Sequence, residues 1–300
     1  MRIGIQIAPE EHSDIASILA LFRDAEVEGF DSAWLGQLFW HDALTLLALA
    51  GTVTDRIELG TFVIPVPARH PVVLAQQALT AQLASGGRLC LGIGAGHAPI
   101  LEKKLGLASD APVARMREYL EVLRPLMRGE YVKHEGPRYR VCVSTAVPGT
   151  EPPGLILGAL GPRMLDLAER RTDGAAVVFA GARFVEEHVR PRMSERSRIV
   201  LSVPMLVTRE VALARRLIDT YVERSKGLPV YARTLAAQGV SGLGELAVVG
   251  DTDEILCGLE DMKRSGVTDL NVIQIQIPED PEALLRTRQV LGEAARLGRE

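Results

Sequence analysis

Residues 1–12 read MRIGIQIAPEEH. The alternation of apolar residues at positions 3–7 predicts a β-strand, and this strand runs directly into the turn APEEH at residues 8–12. An open sheet that binds dinucleotides carries a glycine-rich phosphate loop at its first turn, and this stretch has none. The opening of the chain therefore argues against that open sheet and favours a closed barrel.

Short β-branched runs alternate with longer helical patterns along the whole chain, which is typical of βα units on a parallel sheet. In the first predicted helix, apolar residues recur on one side and Gly29 ends the pattern. Pro71 and Pro281 suit first helical turns. The predicted strands lie at residues 3–7, 32–35, 57–63, 89–93, 155–158, 175–179, 199–207 and 270–275. Eight strands, each followed by a helical stretch, predict a (β/α)8 TIM barrel.

Two segments are longer than a minimal βα repeat. Residues 131–141 alternate around Gly136 and Pro137, which predicts a β-hairpin. Residues 210–265 hold extra helical patterns before the last strand. Neither segment is flanked by a polar linker, so we expect one barrel domain over residues 1–300. Pro204 lies inside the seventh strand and predicts a bulge or a strand end there.

The composition narrows the class of protein. The 300 residues are 47% hydrophobic and 24% charged, as in globular proteins, and the net charge of −4 gives no reason to expect nucleic acid as a partner. No apolar run approaches the ~20 residues of a membrane span, so we expect no membrane partner. The first residues enter a strand without a signal segment, which predicts a cytoplasmic location.

The reactive residue types form no familiar cluster. The three cysteines, Cys90, Cys142 and Cys257, show no paired spacing, so we expect buried or half-buried thiols without a role. No metal is expected, because the chain lacks a His-Glu-x-x-His helix, a Cys/His ligand set and an acidic calcium loop. No serine elbow is present. Redox chemistry on a bound cofactor is the kind of activity that remains.

In a barrel of this type, the loops at the carboxyl ends of the strands build the active site. The loops to consider are residues 36–42, 61–67, 94–99 and 158–163. Residues 86–97 read GGRLCLGIGAGH, with glycines where the backbone must approach another group closely. In residues 158–163, GALGPR, Gly161 precedes Pro162 at a predicted first helical position. This helix start, aimed at the barrel mouth, suits a phosphate or carboxylate.

Several segments, in order, resemble the luciferase-like monooxygenase superfamily and its deazaflavin-dependent branch. They are IELGT at 57–61 with RHP at 69–71, GRLCLGIGAG at 87–96, ALGP at 159–162, DGAAVV at 173–178, the hairpin at 132–139, GDTDE at 250–254 and SGVT at 265–268. The resemblance covers nearly the whole chain. It implies coenzyme F-420, a 5-deazaflavin, or alternatively FMN, lying across the barrel mouth with its phosphate toward the loop after the fifth strand.

The resemblance also implies which residues bind the cofactor. A non-prolyl cis peptide and a bulge are expected at the turn of Thr61, Phe62 and Val63. In the loop after the second strand, Gln37 and Trp40 are favoured over His41. For His41, which precedes the helix cap Asp42, a capping or solvent role is the alternative, and for Trp40 the alternative is apolar packing. The remaining expected cofactor contacts are Gly94, Ala95, Gly96, Ala159, Leu160, Gly161, Pro162 and Arg163. For Arg163, a solvated position in the first helical turn is the alternative.

His97 is the candidate catalytic residue. It matches a position where some deazaflavin-dependent relatives carry an acidic proton donor, and an imidazole can do general acid work near neutral pH. A hydrogen bond to cofactor or substrate is the alternative role. We expect the loop that carries His97 to face the surface at the mouth. His70, before a helix, is expected to cap or pack.

Three functions stay open on the sequence. The first is an oxidoreductase that transfers a hydride between coenzyme F-420 and an organic substrate. The second is an FMN-dependent monooxygenase supplied with reduced flavin by a reductase partner. The third is a degenerate barrel that binds a ligand without turnover. The resemblance adds a small-molecule organic substrate and a homodimer as expected partners.

Overall fold

Eight parallel strands close into a barrel in the computed structural model, which describes residues 1–10, 12–37 and 39–299, without the side chains of Arg224 and Lys226. Each strand pairs with the next one along the chain, and strand eight pairs with both strand one and strand seven, so these eight strands form a closed ring. The predicted TIM barrel is confirmed, with strand ends displaced by one or two residues. Strands one to eight are Arg2–Ile7, Ser32–Leu35, Glu58–Thr61, Leu89–Gly94, Gly154–Gly158, Gly174–Val178, Arg198–Val207 and Asp269–Ile273.

Helices surround the barrel and begin at residues that can cap them. Helix α1 starts after Asp14, whose side chain accepts from the Ser17 amide, and ends at Gly29 with a φ of 104°. The last helix starts at Ala283, so Pro281 precedes that helix and is not in its first turn. Helices α1 to α13 are Ile15–Glu28, Ala43–Gly51, Pro71–Ala84, Ala98–Leu105, Pro112–Met127, Pro162–Arg171, Ala182–Phe184, Val211–Tyr221, Glu223–Lys226, Pro229–Ala237, Leu243–Leu246, Thr252–Arg264 and Ala283–Leu297.

Three shorter helical segments join the longer elements. Val66–Ala68 and Arg190–Arg192 are 3-10 turns, and Val185–Val189 is a turn of π-helix between helix α7 and the second 3-10 turn. Helix α7, the π-helical turn Val185–Val189 and the 3-10 turn Arg190–Arg192 follow one another and take the place of a regular helix between strands six and seven. The connection to strand seven therefore consists of a π-helical turn, which is wider than an α-helical one, and a 3-10 turn, which is tighter.

The barrel interior is a packed core. Alternate side chains of a strand face opposite sides of a sheet, so each strand contributes one set to the interior and one set to the layer under the helices. The interior set forms its own buried cluster of Trp34, Cys90, Ile156, Ala176 and Val200. Gly60 leaves room for the indole, because a Cβ at that position would lie 2.1 Å from the Trp34 ring. The interior is therefore filled below the mouth.

A network of charges closes the amino-terminal end of the barrel. The guanidinium of Arg198 lies 2.7 Å from a carboxylate oxygen of Glu58 and 2.6 Å from one of Asp269. Arg2 contacts the same two carboxylates at 3.0 and 3.3 Å. Each of these residues opens a different strand. Closing the barrel thus pairs four charges that are distant along the chain, at the end opposite to the expected active site.

The predicted hairpin is confirmed as the antiparallel pair Tyr131–Glu135 and Arg140–Ser144. It docks through the Glu118 carboxylate on helix α5, which accepts from the backbone amides of Arg138 and Tyr139 at 3.0 and 2.9 Å. Two short strands complete the sheet: Ile64–Pro65 pairs with strand four, and Val248–Gly250 pairs with strand seven.

Strand seven continues through Pro204, so the predicted bulge or strand end at this residue is wrong. The ladder with strand six ends at Ser202, and the pairing with Val248–Gly250 begins at Met205. Pro204 therefore lies between two ladders on that side of the strand, where its missing N–H interrupts neither of them.

The three cysteines differ in their exposure to solvent. Cys90 is buried, whereas Cys142 and Cys257 are exposed, so the expectation of burial is wrong for the latter two. Cys142 lies on the hairpin and Cys257 on helix α12, which are both surface elements.

Across the residues that the structure describes, no helix is long and apolar enough to cross a membrane.

Candidate active site at the carboxyl end of the barrel

The turn after strand three forms one wall of the mouth. The peptide bond between Phe62 and Val63 is cis, as the family resemblance implied for this turn. The turn is tied to strand four by Thr61, whose hydroxyl donates to the Gly92 carbonyl and accepts from the Gly92 amide, both at 2.8 Å. The Phe62 ring meets the edge of Trp34 with centroids 6.1 Å apart.

Gly94 and Gly158 leave a notch that Val63 occupies. A Cβ at Gly94 would lie 2.7 Å from a methyl group of Val63, and a Cβ at Gly158 would lie 3.4 Å from the same methyl. The close approach expected at the glycines of strand four is therefore present, and the group that approaches is Val63. The ends of strands three, four and five therefore meet at Val63 and form a wall to which neither glycine adds a side chain.

The loop after strand two is held by Gln37, and its aromatic residues lie at the rim. The side-chain carbonyl of Gln37 accepts from the Ala43 amide at 3.0 Å and from Arg69 at 3.2 Å. Arg69 also pairs with Asp42, which caps helix α2. Trp40 is 52% exposed. Gln37 thus links the starts of helices α2 and α3, and ring contacts by Gln37 and Trp40 stay predictions.

His70 caps helix α3, as expected. Its Nδ1 accepts from the Val72 amide at 3.3 Å, and Pro71 is the first residue of the helix. The imidazole therefore satisfies a free amide at the helix start. These contacts give His70 a role in capping helix α3 and none at the mouth of the barrel.

His97 is half-buried and is held by a residue from a distant segment. It follows the turn of Ala95 and Gly96, where Gly96 has a φ of 74°, and it stands at the start of helix α4 without capping it. Its Nε2 lies 3.0 Å from the hydroxyl of Tyr231. The loop reaches the surface at the exposed Ala98, and the His97 ring is half-buried against Tyr231 of helix α10.

Burial changes the acidity of both partners in this pair. It lowers the pKa of His97 below the usual 6.5 and raises the pKa of Tyr231 to about 12. In each case the charged form loses hydration when it is taken out of water. At neutral pH the imidazole is therefore uncharged and the phenol keeps its proton. A neutral imidazole can accept or donate a proton, according to which of its nitrogens carries the hydrogen.

The start of helix α6 lies at the end of strand five. Gly161 occupies the cap position and Pro162 the first helical position, as the sequence predicts. A Cβ at Gly161 would meet no atom within 4 Å, so the space in front of this helix end is open. Ala159 is buried and Arg163 is exposed. The arrangement offers backbone amides, the positive end of a helix dipole and a guanidinium to an anionic group.

The structure thus assigns the expected residues to different parts of one mouth. Val63 and the glycines of strands four and five share a wall, and Gly161 with Arg163 borders an open helix start. Trp40 lies at the rim. Tyr231 was missed, because it lies 134 residues from His97 and no local pattern in the sequence connects the two.

The comparisons with known proteins agree on one family. The sequence model described as luciferase-like monooxygenase matches residues 1–269. A putative coenzyme F-420-dependent oxidoreductase of Mycobacterium tuberculosis is 32% identical over 203 residues, which are 61% of this chain and 57% of the relative. An F-420-dependent glucose-6-phosphate dehydrogenase of Nakamurella multipartita is 34% identical over 183 residues, 56% of this chain and 52% of the relative. The matches span about half the length of these curated relatives.

A solved structure supports the fold. An F-420-dependent secondary alcohol dehydrogenase, in complex with an F-420–acetone adduct, superposes with a TM-score of 0.77 over 97% of both chains at 18% identity. At that identity the likeness concerns the fold alone. With the barrel topology and the family match over most of the sequence, the chain belongs to the luciferase-like monooxygenase family.

Proposed function

We propose that the chain is an oxidoreductase that transfers a hydride between coenzyme F-420 and a small organic substrate. One observation carries the proposal: Val63 packs into the notch of Gly94 and Gly158, at the end of the strand from which the loop of His97 leaves. A flat tricyclic ring needs an apolar wall that it can approach closely, with few polar groups that fix its orientation. The two relatives described above as F-420-dependent support the choice of cofactor.

The phosphate end of the cofactor fits the open helix start. Helix α6 has ten residues, and its cap Gly161 carries no side chain that would fill the approach. A phosphate there would meet the positive end of the helix dipole, and the exposed Arg163 follows within the first turn. Gly161, Pro162 and Arg163 are therefore proposed to hold the phosphate, with the ring against Val63 and the glycine wall.

His97 is proposed to handle the proton that accompanies the hydride. When bound, the deazaflavin supplies or accepts the hydride. Reduction of a carbonyl also needs a proton donor at the substrate oxygen, and oxidation of an alcohol needs an acceptor there. Because burial lowers the pKa of His97, its imidazole is neutral near pH 7 and can serve in either direction.

The same proposal covers the organisation of the chain. Residues 1–300 are proposed to act as one domain, because helices α8 and α10 pack with the strand-end residues Phe179 and Ile273 in one buried cluster. A cytoplasmic location and a homodimer stay predictions, and so does a reductase partner for the FMN alternative. Sedimentation equilibrium of the purified protein tests the homodimer.

Equilibrium titration with coenzyme F-420 and with FMN, side by side at one ionic strength, tests the proposed function. We expect the dissociation constant for F-420 to be lower by at least about tenfold, which corresponds to ~1.4 kcal/mol. Comparable or tighter binding of FMN, with oxygenation of an organic substrate once reduced FMN is supplied, would establish the monooxygenase in its place. Binding of neither cofactor would leave a barrel that binds some other ligand.

A further inference from the structure

Helix α10 is fastened to the end of strand six. Gln238, which ends the helix, donates from its side-chain amide to the Phe179 carbonyl and accepts from the Gly181 amide, both at 2.9 Å. Phe179 itself has a φ of 56°, a left-handed conformation that points the chain away from the strand direction. The helix is thus attached at one end to the mouth of the barrel.

Tyr231, in the first turn of this helix, lies between the loops that follow strand four and strand six. Its ring stacks on Phe179 with centroids 4.2 Å apart and 19° between the planes. Its hydroxyl lies 3.0 Å from Nε2 of His97, and the His97 ring meets the Tyr231 ring at 66°. Two neighbours therefore hold the phenol in place. Within the described part of the chain, the structure gives no hydrogen bond to the other ring nitrogen of His97, Nδ1.

We propose that Tyr231 is a positioning residue for His97: it donates to Nε2, and so commits Nδ1–H to the substrate. This inference rests on the hydride transfer proposed above. The protonation states follow from the acidities of the two groups. Burial raises the pKa of Tyr231 to about 12 and lowers that of His97, so the phenol is protonated and the imidazole neutral at pH 7. Between two neutral groups at this distance, either the phenol donates to Nε2 or Nε2–H donates to the phenol oxygen; the proposal takes the first arrangement, in which the ring proton resides on Nδ1.

The chemistry of a neutral imidazole explains why this partner matters. If Nδ1–H alone gave its proton to a substrate oxygen, an imidazolate anion would be left in a half-buried site, which is costly. With Tyr231 in place, the oxygen of a carbonyl substrate takes the proton of Nδ1 as its carbon takes the hydride. Nε2 takes the phenol proton in the same event, and water returns a proton to the phenol oxygen of Tyr231, which is a half-buried residue. The proton count of the protein is unchanged and one proton passes from solvent to product; the imidazole is left protonated at Nε2 and returns to the Nδ1–H form by exchange with water before the next turnover.

The tautomer of His97 in the free protein tests the inference, by long-range proton–nitrogen correlation spectra of 15N-labelled protein at pH 7. In the wild type, we expect Nε2 to resonate as an unprotonated acceptor and Nδ1 as a protonated nitrogen. In Tyr231→Phe, which keeps the stacked ring and removes the hydroxyl, the Nε2 signal should move toward the protonated range. Tyr221→Phe, on the exposed side of helix α8, is the matched control and should leave both His97 signals unchanged.

Two results would overturn the role of Tyr231: a wild-type ring protonated at Nε2, or His97 signals that do not move in Tyr231→Phe. If thermal melting shows that Tyr231→Phe does not fold, the wild-type tautomer alone decides. The spectra need no cofactor. The two proposals therefore fail in different experiments. The titration with F-420 and FMN tests the cofactor, and the spectra test the role of Tyr231.

Discussion

Gly161→Val should weaken the binding of coenzyme F-420 about 10- to 150-fold without unfolding the protein. A branched side chain at this position would stand in the open approach to the start of helix α6. The phosphate would then lose at least one charge-assisted hydrogen bond to the helix start, worth ~1.5–3 kcal/mol, and each ~1.4 kcal/mol is tenfold in the dissociation constant.

The protein itself should tolerate the valine. A Cβ at Gly161 meets no atom within 4 Å, and its φ of −89° and ψ of 155° are extended values that valine adopts readily. The cap position favours glycine over valine, so we expect a stability loss of about 1 kcal/mol or less. A change in affinity would therefore report on the ligand and not on the fold.

Fluorescence titration at matched ionic strength measures the dissociation constant, and a thermal melt checks folding. Gly298→Val is the control: Gly298 has a φ of −72° and ends the last helix, next to Arg299, which contacts the start of the second βα unit at Gly29. This position lies at the opposite end of the barrel, and the variant should bind the cofactor as the wild type does. A folded Gly161→Val with wild-type affinity would place the phosphate elsewhere and refute the proposed cofactor position.

Two further predictions concern proton transfer by His97 and the charge network at the amino-terminal end of the barrel. His97→Gln should lower kcat by about 10²–10⁴, the usual contribution of a general acid or base, with little change in Tm. Because burial lowers the pKa of His97, the wild-type rate should hold at pH 6.5 and above and fall only below that value; stability should also fall on the acid side, since the unfolded chain binds this proton more readily. A pH–rate profile with its acid limb centred above 6.5 would contradict this assignment. Arg198→Met should cost about 3 kcal/mol in urea unfolding, because Asp269 is 2% exposed and would lose its nearest cation while cofactor affinity stays unchanged. A loss well under 1 kcal/mol would mean that Arg2 alone balances the two carboxylates.

Local patterns in the sequence were sufficient for the elements of this barrel. Each strand is a short apolar run between turn residues, and longer helices such as α1 and α12 show their own periodicity, so neighbours along the chain specify these elements. The start of helix α6 followed from Gly161 and Pro162 in the same way. The cis peptide came from the family resemblance, because no local pattern distinguishes such a bond.

Strand seven shows where local rules reach their limit. Proline usually interrupts a ladder, and on that rule the strand was expected to bulge or end at Pro204. Its tolerance depends on which strands lie beside it, since one ladder has ended at Ser202 and the next begins at Met205. That arrangement exists only once the sheet has closed.

The sequence by itself determined the eight strands, their order and the loops where the site must lie, because these depend on residues close together in the chain. Only the tertiary structure decided that Tyr231 faces His97, and that Arg198 meets Glu58 and Asp269. The helical pattern at residues 230–238 marks the helix that carries Tyr231 and does not say where that helix docks. The charged residues that open the strands look like ordinary surface charges until the barrel closes. Contacts across 134 residues, as between His97 and Tyr231, are fixed by barrel closure and packing, and no local periodicity encodes them.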